Sequence, residues 1–491
     1  MMSTPARFRV VVSVIALTWS LPSIAAAQGT DRLTLSDALA RAAANSEVIQ
    51  IARSGEVRAA AQVSQISSQY LPQVNFAGTY TRTLASEFEN AFGASGPGCT
   101  PLSVDVTRPV DDRLAELERA ASCGGIGSSG LDFSTLPFGQ RNIYQLGFTF
   151  SQSVYTGGRV GAQVRQADVS RRIATLETTA IEAQLKLDVA RAFYAAALSD
   201  RLVTIAESTA TQAGATYEQA RLAFEAGRTP EYELLRALVG RDNQRPNVIR
   251  QRANRDVAYL RLRQLLQLPP NAPLVLDVDL ESPDLPPPAP FAADLAKARQ
   301  SNTAERVTVT QAEALVEARN AAVAVARSGY LPSLGVSSSY ARVGYPSQGS
   351  AVPGFGDFRT NWSLGATVQM PIFNGNRVKA EVRTAAAELD QARFLVAQAR
   401  ELAVLDAATA VEDLDAAAAN WEASAGTVQQ AERAYEIAEL RNRSGLSTQL
   451  ELADARLSLE IAQANRAQAA HDLQVARARV ALLPTLPLVA R

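Results

Sequence analysis

The chain contains two long segments that repeat one another, and this duplication limits the folds available to it. The residues SQYLPQV at 68–74 return as SGYLPSL at 328–334, 260 positions later. SVYTGGRVGAQV, starting at Ser153, matches PIFNGNRVKAEV, starting at Pro371, at an offset of 218 positions. The shorter offset places about 42 extra residues in the first copy, within a Gly-, Pro- and Ser-rich stretch. A repeat of this length predicts two fused structural units rather than a solenoid of short repeats.

The segment between the two copies is predicted to be a linker. Eight prolines fall within residues 269–290, and such a density excludes a helix. The chain therefore divides into a first repeat at 28–268, the linker at 269–290, a second repeat at 291–483 and a C-terminal tail at 484–491.

Each copy contains two stretches of about ten residues in which apolar and polar side chains alternate, the pattern of one-sided β-strands. These strands are predicted at about 72–82, 141–156, 332–343 and 360–373. Their length suits a tilted strand that crosses a bilayer, and soluble hairpins are the alternative. Four strands cannot close a barrel, and an open edge in lipid leaves backbone groups unpaired. Several chains are therefore expected to share one barrel.

A long helix is predicted after each strand pair. Residues 159–226 and 377–444 contain no proline, and apolar residues recur every seven positions in two stripes. Two stripes per helix indicate contact with neighbours on both sides, as in a wall of coiled coils. A rod without a pore is the alternative. The direct connection from strand to helix through YTGGR or FNGNR favours a barrel that continues into a helical tube.

The first 27 residues have the three parts of a secretory signal. Arg7 and Arg9 precede the apolar stretch 10–19, and Ala25–Ala27 form a small-residue cleavage site before Gln28. A membrane anchor is the alternative, although the apolar stretch is shorter than the roughly 20 residues that span a bilayer. We expect residues 1–27 to be removed on export.

The composition disfavours nucleic acid binding and ordinary enzyme chemistry. With 48 Lys and Arg against 49 Asp and Glu, the net charge is −1, which gives no excess of positive charge for phosphates. One His and two Cys leave few candidates for a metal site or a catalytic triad. No Walker or Rossmann spacing occurs. We therefore expect no catalytic activity, no metal and no cofactor, with energy supplied by a partner.

These features together resemble the TolC-like outer-membrane channels of efflux and type I secretion. The resemblance covers nearly the whole mature chain and rests on LTLSDALARAAANSEV, the two YLP strand entries, PIFNGNRVKAEVRTA and the glycine-centred helix hairpins. It implies a mainly α fold with a membrane β-barrel, built from two tandem repeats of helix, strand, strand, long helix and helix. It further implies a homotrimer in which a 12-stranded β-barrel in the outer membrane continues into a periplasmic α-helical barrel.

The resemblance also implies partners and a function. A periplasmic adaptor, or membrane fusion protein, would connect the trimer to an inner-membrane pump or ABC exporter. The protein would be a passive exit duct, embedded in outer-membrane lipid and extending far into the periplasm. A periplasmic coiled-coil adaptor or scaffold without a pore is the alternative, but an adaptor is expected to have one helical hairpin between soluble β modules.

Two glycine turns correspond to the periplasmic tips of that family. Gly227 and Gly445 end the long helices, and the family meets its adaptor at these hairpins. The alternative is that each glycine only caps a helix. The resemblance extends the predicted tip contact to Thr229, Leu446 and Ser447.

Two acids past the second tip match the family acids that ring the channel entrance. Glu451 and Asp454 lie three residues apart, which places both carboxylates on one face of a helix. Threefold repetition would concentrate these carboxylates at a constriction and attract cations. Two solvated acids on an exposed helix are the alternative.

Glu233 occupies the position of a family acid in the network that closes the entrance. The Tyr and Arg that complete this network are replaced by Asn442 and Ser447. The expected substitutes are three nearby arginines: Arg228, Arg441 and Arg443.

Cys99 and Cys123 lie in the long loop of the first copy. In an oxidising compartment they are expected to form a disulfide, with two free thiols as the alternative. His471 lies among polar residues and is expected to be solvated rather than a metal ligand.

Overall fold

The computed structural model describes residues 32–85, 105–122, 142–280, 282, 284–298, 306–346 and 352–488. The predicted signal peptide and the predicted disulfide between Cys99 and Cys123 fall outside these residues.

The first repeat is a series of helices interrupted by two long strands. Its elements are β1 (Arg32–Leu33), α1 (Leu35–Asn45), α2 (Glu47–Ser67), β2 (Gln73–Arg82), α3 (Val110–Ser122), β3 (Asn142–Tyr155), α4 (Arg159–Glu225), α5 (Glu231–Asp242) and α6 (Gln244–Leu265). The Pro-rich segment that follows contains the short strand β4 (Val275–Leu276), which pairs in parallel with β1.

The second repeat has the same order of elements. After α7 (Ala292–Ala298) come α8 (Val307–Ser328), β5 (Ser333–Gly344), β6 (Phe358–Gln369), α9 (Arg377–Arg443) and α10 (Gln449–Leu482). Helices α4 and α9 have 67 residues each. This recurrence confirms the predicted fold class of tandem helix, strand, strand, long helix, helix repeats. No helix among the described residues is both long enough and apolar enough to cross a membrane.

The two repeats differ where a proline intervenes. The last helix of the first repeat is divided at Asn243 into α5 and α6, whereas α10 is continuous. Pro246 lies in the first turn of α6, where its missing N–H costs nothing, but it disfavours continuation of a helix from the preceding residues. Strand β6 ends at Gln369, four residues before the predicted limit, because Pro371 cannot donate to the ladder.

Four strands form one antiparallel sheet with the order β2-β3-β5-β6. On one face Phe76 pairs with Phe148 and Tyr80 with Tyr144, with ring centroids 5.0 and 4.7 Å apart. Trp362 and Leu364 of β6 extend this apolar face, and both are about three-quarters exposed. The opposite face carries mainly Ser, Thr, Asn and Gln, so the sheet is one-sided in polarity.

The chain divides into two compact units. The first unit combines Met1–Ser46, Lys186–Ala292 and Leu414–Ala478, and it buries Phe193, Leu262 and Leu473 almost completely. The second unit combines Glu47–Leu185, Ala293–Asp413 and Arg479–Arg491, and it holds the four-stranded sheet.

Candidate functional site

The two helix hairpins of the first unit end in turns of the same construction. Gly227 and Gly445 have φ angles of +68° and +69°, in the left-handed region that favours glycine. The Arg228 N–H donates to the Ala223 carbonyl at 2.9 Å, and the Leu446 N–H donates to the Arg441 carbonyl at 2.8 Å. These bonds across five residues are the mark of a Schellman cap, which terminates a helix and reverses the chain. Both glycines are exposed, with open space where a Cβ would lie.

Side chains on both sides of the second turn hold it closed. The Asn442 amide donates to the Ser447 carbonyl at 3.1 Å and accepts from the Gln449 amide at 3.3 Å. The Ser447 hydroxyl donates to the Ala438 carbonyl at 3.4 Å. The two residues that depart from the family pattern therefore stabilise the turn itself.

Glu451 and Asp454 lie on the exposed side of α10. Both side chains face solvent, while the intervening Leu452 is buried against Tyr435. The Glu451 N–H is capped by the Thr448 hydroxyl at 3.3 Å, which fixes the start of α10. Neither carboxylate forms an ion pair with a basic side chain in the described part of the chain. The two acids therefore lie together on one face, as their spacing predicted.

Glu233 lies in the first turn of α5, where its charge favours the helix N-terminus. Its Oε2 atom and the Thr229 hydroxyl are buried without a hydrogen-bond partner in the described residues. None of the three candidate arginines bonds to Glu233 within the described part of the chain. Arg443 donates to Glu439 at 2.7 Å, Arg441 reaches the Leu446 carbonyl at 3.5 Å, and Arg228 is exposed.

A cavity of about 210 Å³ lies beside these turns, between α4, α5 and α10. Arg236 and Arg456 both line it, and Arg456 is only 8% exposed. Burial lowers the pKa of the Arg456 guanidinium, and the nearby Tyr435 and Glu460 oppose that shift. No pattern in the sequence indicates this site, because the burial of Arg456 depends on the packing of α5 against α10. We refer to this space as the tip cavity.

A second feature that sequence reasoning missed is an ion-pair network in the second unit. Asp406 of α9 accepts from Arg306 at 2.8 Å through one oxygen and from Arg479 of α10 at 3.0 Å through the other. Arg479 also donates to Asp413 at 3.0 Å. The Arg306 side chain is 4% exposed, so this pairing compensates a buried charge that precedes α8.

No group of three or more His, Cys, Asp and Glu side chains suited to a metal ion occurs among the described residues. His471 contacts Asp472, with 2.9 Å between Nδ1 and Oδ1.

Comparison with known proteins agrees with this architecture. The family model described as outer membrane efflux protein matches residues 122–267 and 298–483. The solved structure of CusC aligns over 91% of both chains with a TM-score of 0.69 and 17% identity. VceC from Vibrio cholerae aligns over 91% of this chain and 95% of its own, with a TM-score of 0.68 and 17% identity.

The outer-membrane channel MtrE from Neisseria gonorrhoeae gives a TM-score of 0.67 at 16% identity, over 92% of this chain and 89% of its own. No curated protein sequence matches the chain. At these identities the solved structures establish the fold, while the family model covers more than half of the chain. The resemblance stated from the sequence is confirmed: the chain belongs to the outer membrane efflux protein family, whose members are outer-membrane channels and not enzymes.

Proposed function

We propose that three copies of this chain form one exit duct of a tripartite efflux or type I secretion system. The observation that carries the proposal is the four-stranded sheet, whose outer strands β2 and β6 each pair on one side only. In lipid, such edges require partners for their backbone groups. Because β2 and β6 run in opposite directions, β6 of one chain can pair antiparallel with β2 of the next. Three chains then supply a 12-stranded β-barrel.

The duct is passive. We infer that an inner-membrane pump or ABC exporter delivers the substrate through a periplasmic adaptor, since family membership supports a channel component rather than an enzyme. The predicted signal at residues 1–27 would direct the chain across the inner membrane. Family membership and the two exposed strand pairs also favour the channel over the alternative of a poreless adaptor.

The hairpin turns at Gly227 and Gly445 are the proposed adaptor contact. Their support is an exposed position and a shared backbone geometry, which would present the same shape twice per chain. Leu446 is 71% exposed at the apex of the second turn and offers an apolar contact. Thr229 and Ser447 complete the proposed contact in the first and second turns.

Glu451 and Asp454 are the proposed acidic ring at the entrance. Their support is that both carboxylates are solvent-facing and lie on one face of α10. For the gate network, the unpartnered Oε2 of Glu233 would be satisfied across a subunit boundary. The candidate donors are Arg228, Arg441 and Arg443.

The assembly is tested by the mass of the detergent-extracted protein, measured by native mass spectrometry. We expect a mass of three chains, each near 52.3 kDa before removal of the signal peptide. A mature protein that is monomeric and soluble in water without detergent would contradict the proposal.

A further inference from the structure

The tip cavity combines two positive charges with no negative lining. Its lining includes Arg236 of α5 and Arg456 of α10, and no carboxylate among the described residues lines it. The remaining polar lining consists of Thr216, Asn243 and Gln449. Two guanidinium groups that share a small cavity repel each other unless an anion lies between them.

Arg456 is buried without a partner. It is 8% exposed, and its guanidinium has no hydrogen bond or ion pair within the described part of the chain. Glu460, one helical turn further along α10, contributes charge, but its carboxylate accepts a hydrogen bond from the Asn247 amide at 3.0 Å. A buried charge without a hydrogen-bonded partner is costly, so the guanidinium requires an acceptor that these residues do not supply.

Gly240 gives the guanidinium access to the cavity. A Cβ at this position in α5 would lie 3.7 Å from the Arg456 Nη2 atom, so α5 passes close to the charged group. A larger side chain at this position would occupy the same space. The site is therefore built from a helix of the first repeat and a helix of the second.

We propose that the tip cavity binds one small oxyanion, of the size of sulfate or phosphate, between Arg236 and Arg456. The planar guanidinium presents paired N–H donors that match the oxygens of such an ion. The volume of about 210 Å³ accommodates the ion together with water.

The bound ion would link α5 to α10 beside the hairpin turns. It would thereby stiffen the tips that the proposed function assigns to the adaptor contact and the entrance, and only this consequence rests on that function. Loss of the ion would leave two like charges facing each other and would favour separation of the two helices.

The experiment is calorimetric titration of the full-length, detergent-purified protein with sodium sulfate, in a sodium chloride background of constant ionic strength. We expect saturable binding of one sulfate per chain. Arg456→Gln and Arg236→Gln should each weaken sulfate binding by about tenfold or more, the size expected for a charge-assisted hydrogen bond. The half-buried Arg236 provides the second variant in case Arg456→Gln perturbs folding.

The matched control is Arg245→Gln on α6, which removes an exposed arginine that does not line the cavity. Its sulfate affinity should equal that of the wild type. Absence of saturable binding in the wild type, or equal affinity in all variants, would overturn the proposed site. Failure of the trimer contradicts the proposed function instead, because sulfate binding is counted per chain.

Discussion

Asp406 holds two arginines on one carboxylate, and one of those arginines is buried. Removing this acid leaves Arg306 without compensation, since the pairing to Asp406 is its only ion pair in the described part of the chain. Breaking a buried pair in this way typically costs about 3–5 kcal/mol. We therefore expect Asp406→Ala to lower the thermal midpoint of the purified protein strongly.

Asp413→Ala is the control for that substitution. Asp413 pairs with the same Arg479, but its side chain is 56% exposed. Exposed ion pairs contribute about 0–1 kcal/mol, so this variant should melt near the wild-type temperature. Equal losses in both variants would show that the burial of Arg306 does not determine the effect.

At the same scale, Glu451 and Asp454 test the entrance. Replacing both with Ala removes two exposed carboxylates per chain and should reduce the cation preference of the channel in planar bilayers. Block by multivalent cations should weaken with it. Because both side chains are solvent-facing, the trimer should remain intact. Unchanged ion selectivity would identify them as ordinary surface acids.

Among the elements, the hairpin turns separate docking from folding. A β-branched residue at φ +69° is strained by about 1–3 kcal/mol. This strain is confined to an exposed turn, so Gly445→Val should leave trimer abundance nearly unchanged. Substrate export should be lost, because the turn can no longer admit close approach of an adaptor, and Gly227→Val should behave similarly.

Trimer level and export should be measured in the same cells. Gly426→Ala in the exposed interior of α9 is a suitable control, since a methyl group at this position would have no neighbouring atom within 4 Å. Normal export by Gly445→Val would remove the docking role. Loss of the trimer would assign the glycine to folding alone.

The sequence predicted the long elements well and the short-range details poorly. The proline-free segments predicted α4 and α9 to within a residue at either end, because local propensity and periodicity agree over such a length. The division between α5 and α6 at Asn243 was missed, although Pro246 signals it. The burial of Arg306 and Arg456 was beyond reach, since it arises from contacts between residues distant in the sequence.

For the whole molecule, the central claim is that three chains close one ring through β2 and β6. The polar faces of these strands carry Thr79 on β2 and Asn361, Ser363 and Gly365 on β6. A cysteine at Thr79 can be combined with one at each of these β6 positions, in a chain whose Cys99 and Cys123 are changed to Ser. Single-cysteine variants are the control.

The decisive measurement is the band pattern of these double variants after treatment with a short thiol cross-linker in membranes, separated on denaturing gels. A closed ring of three chains predicts bands of one, two and three chains in at least one combination, with nothing larger, and no such series in the single variants. A series that continues beyond three chains, or only monomers in every combination, would contradict it.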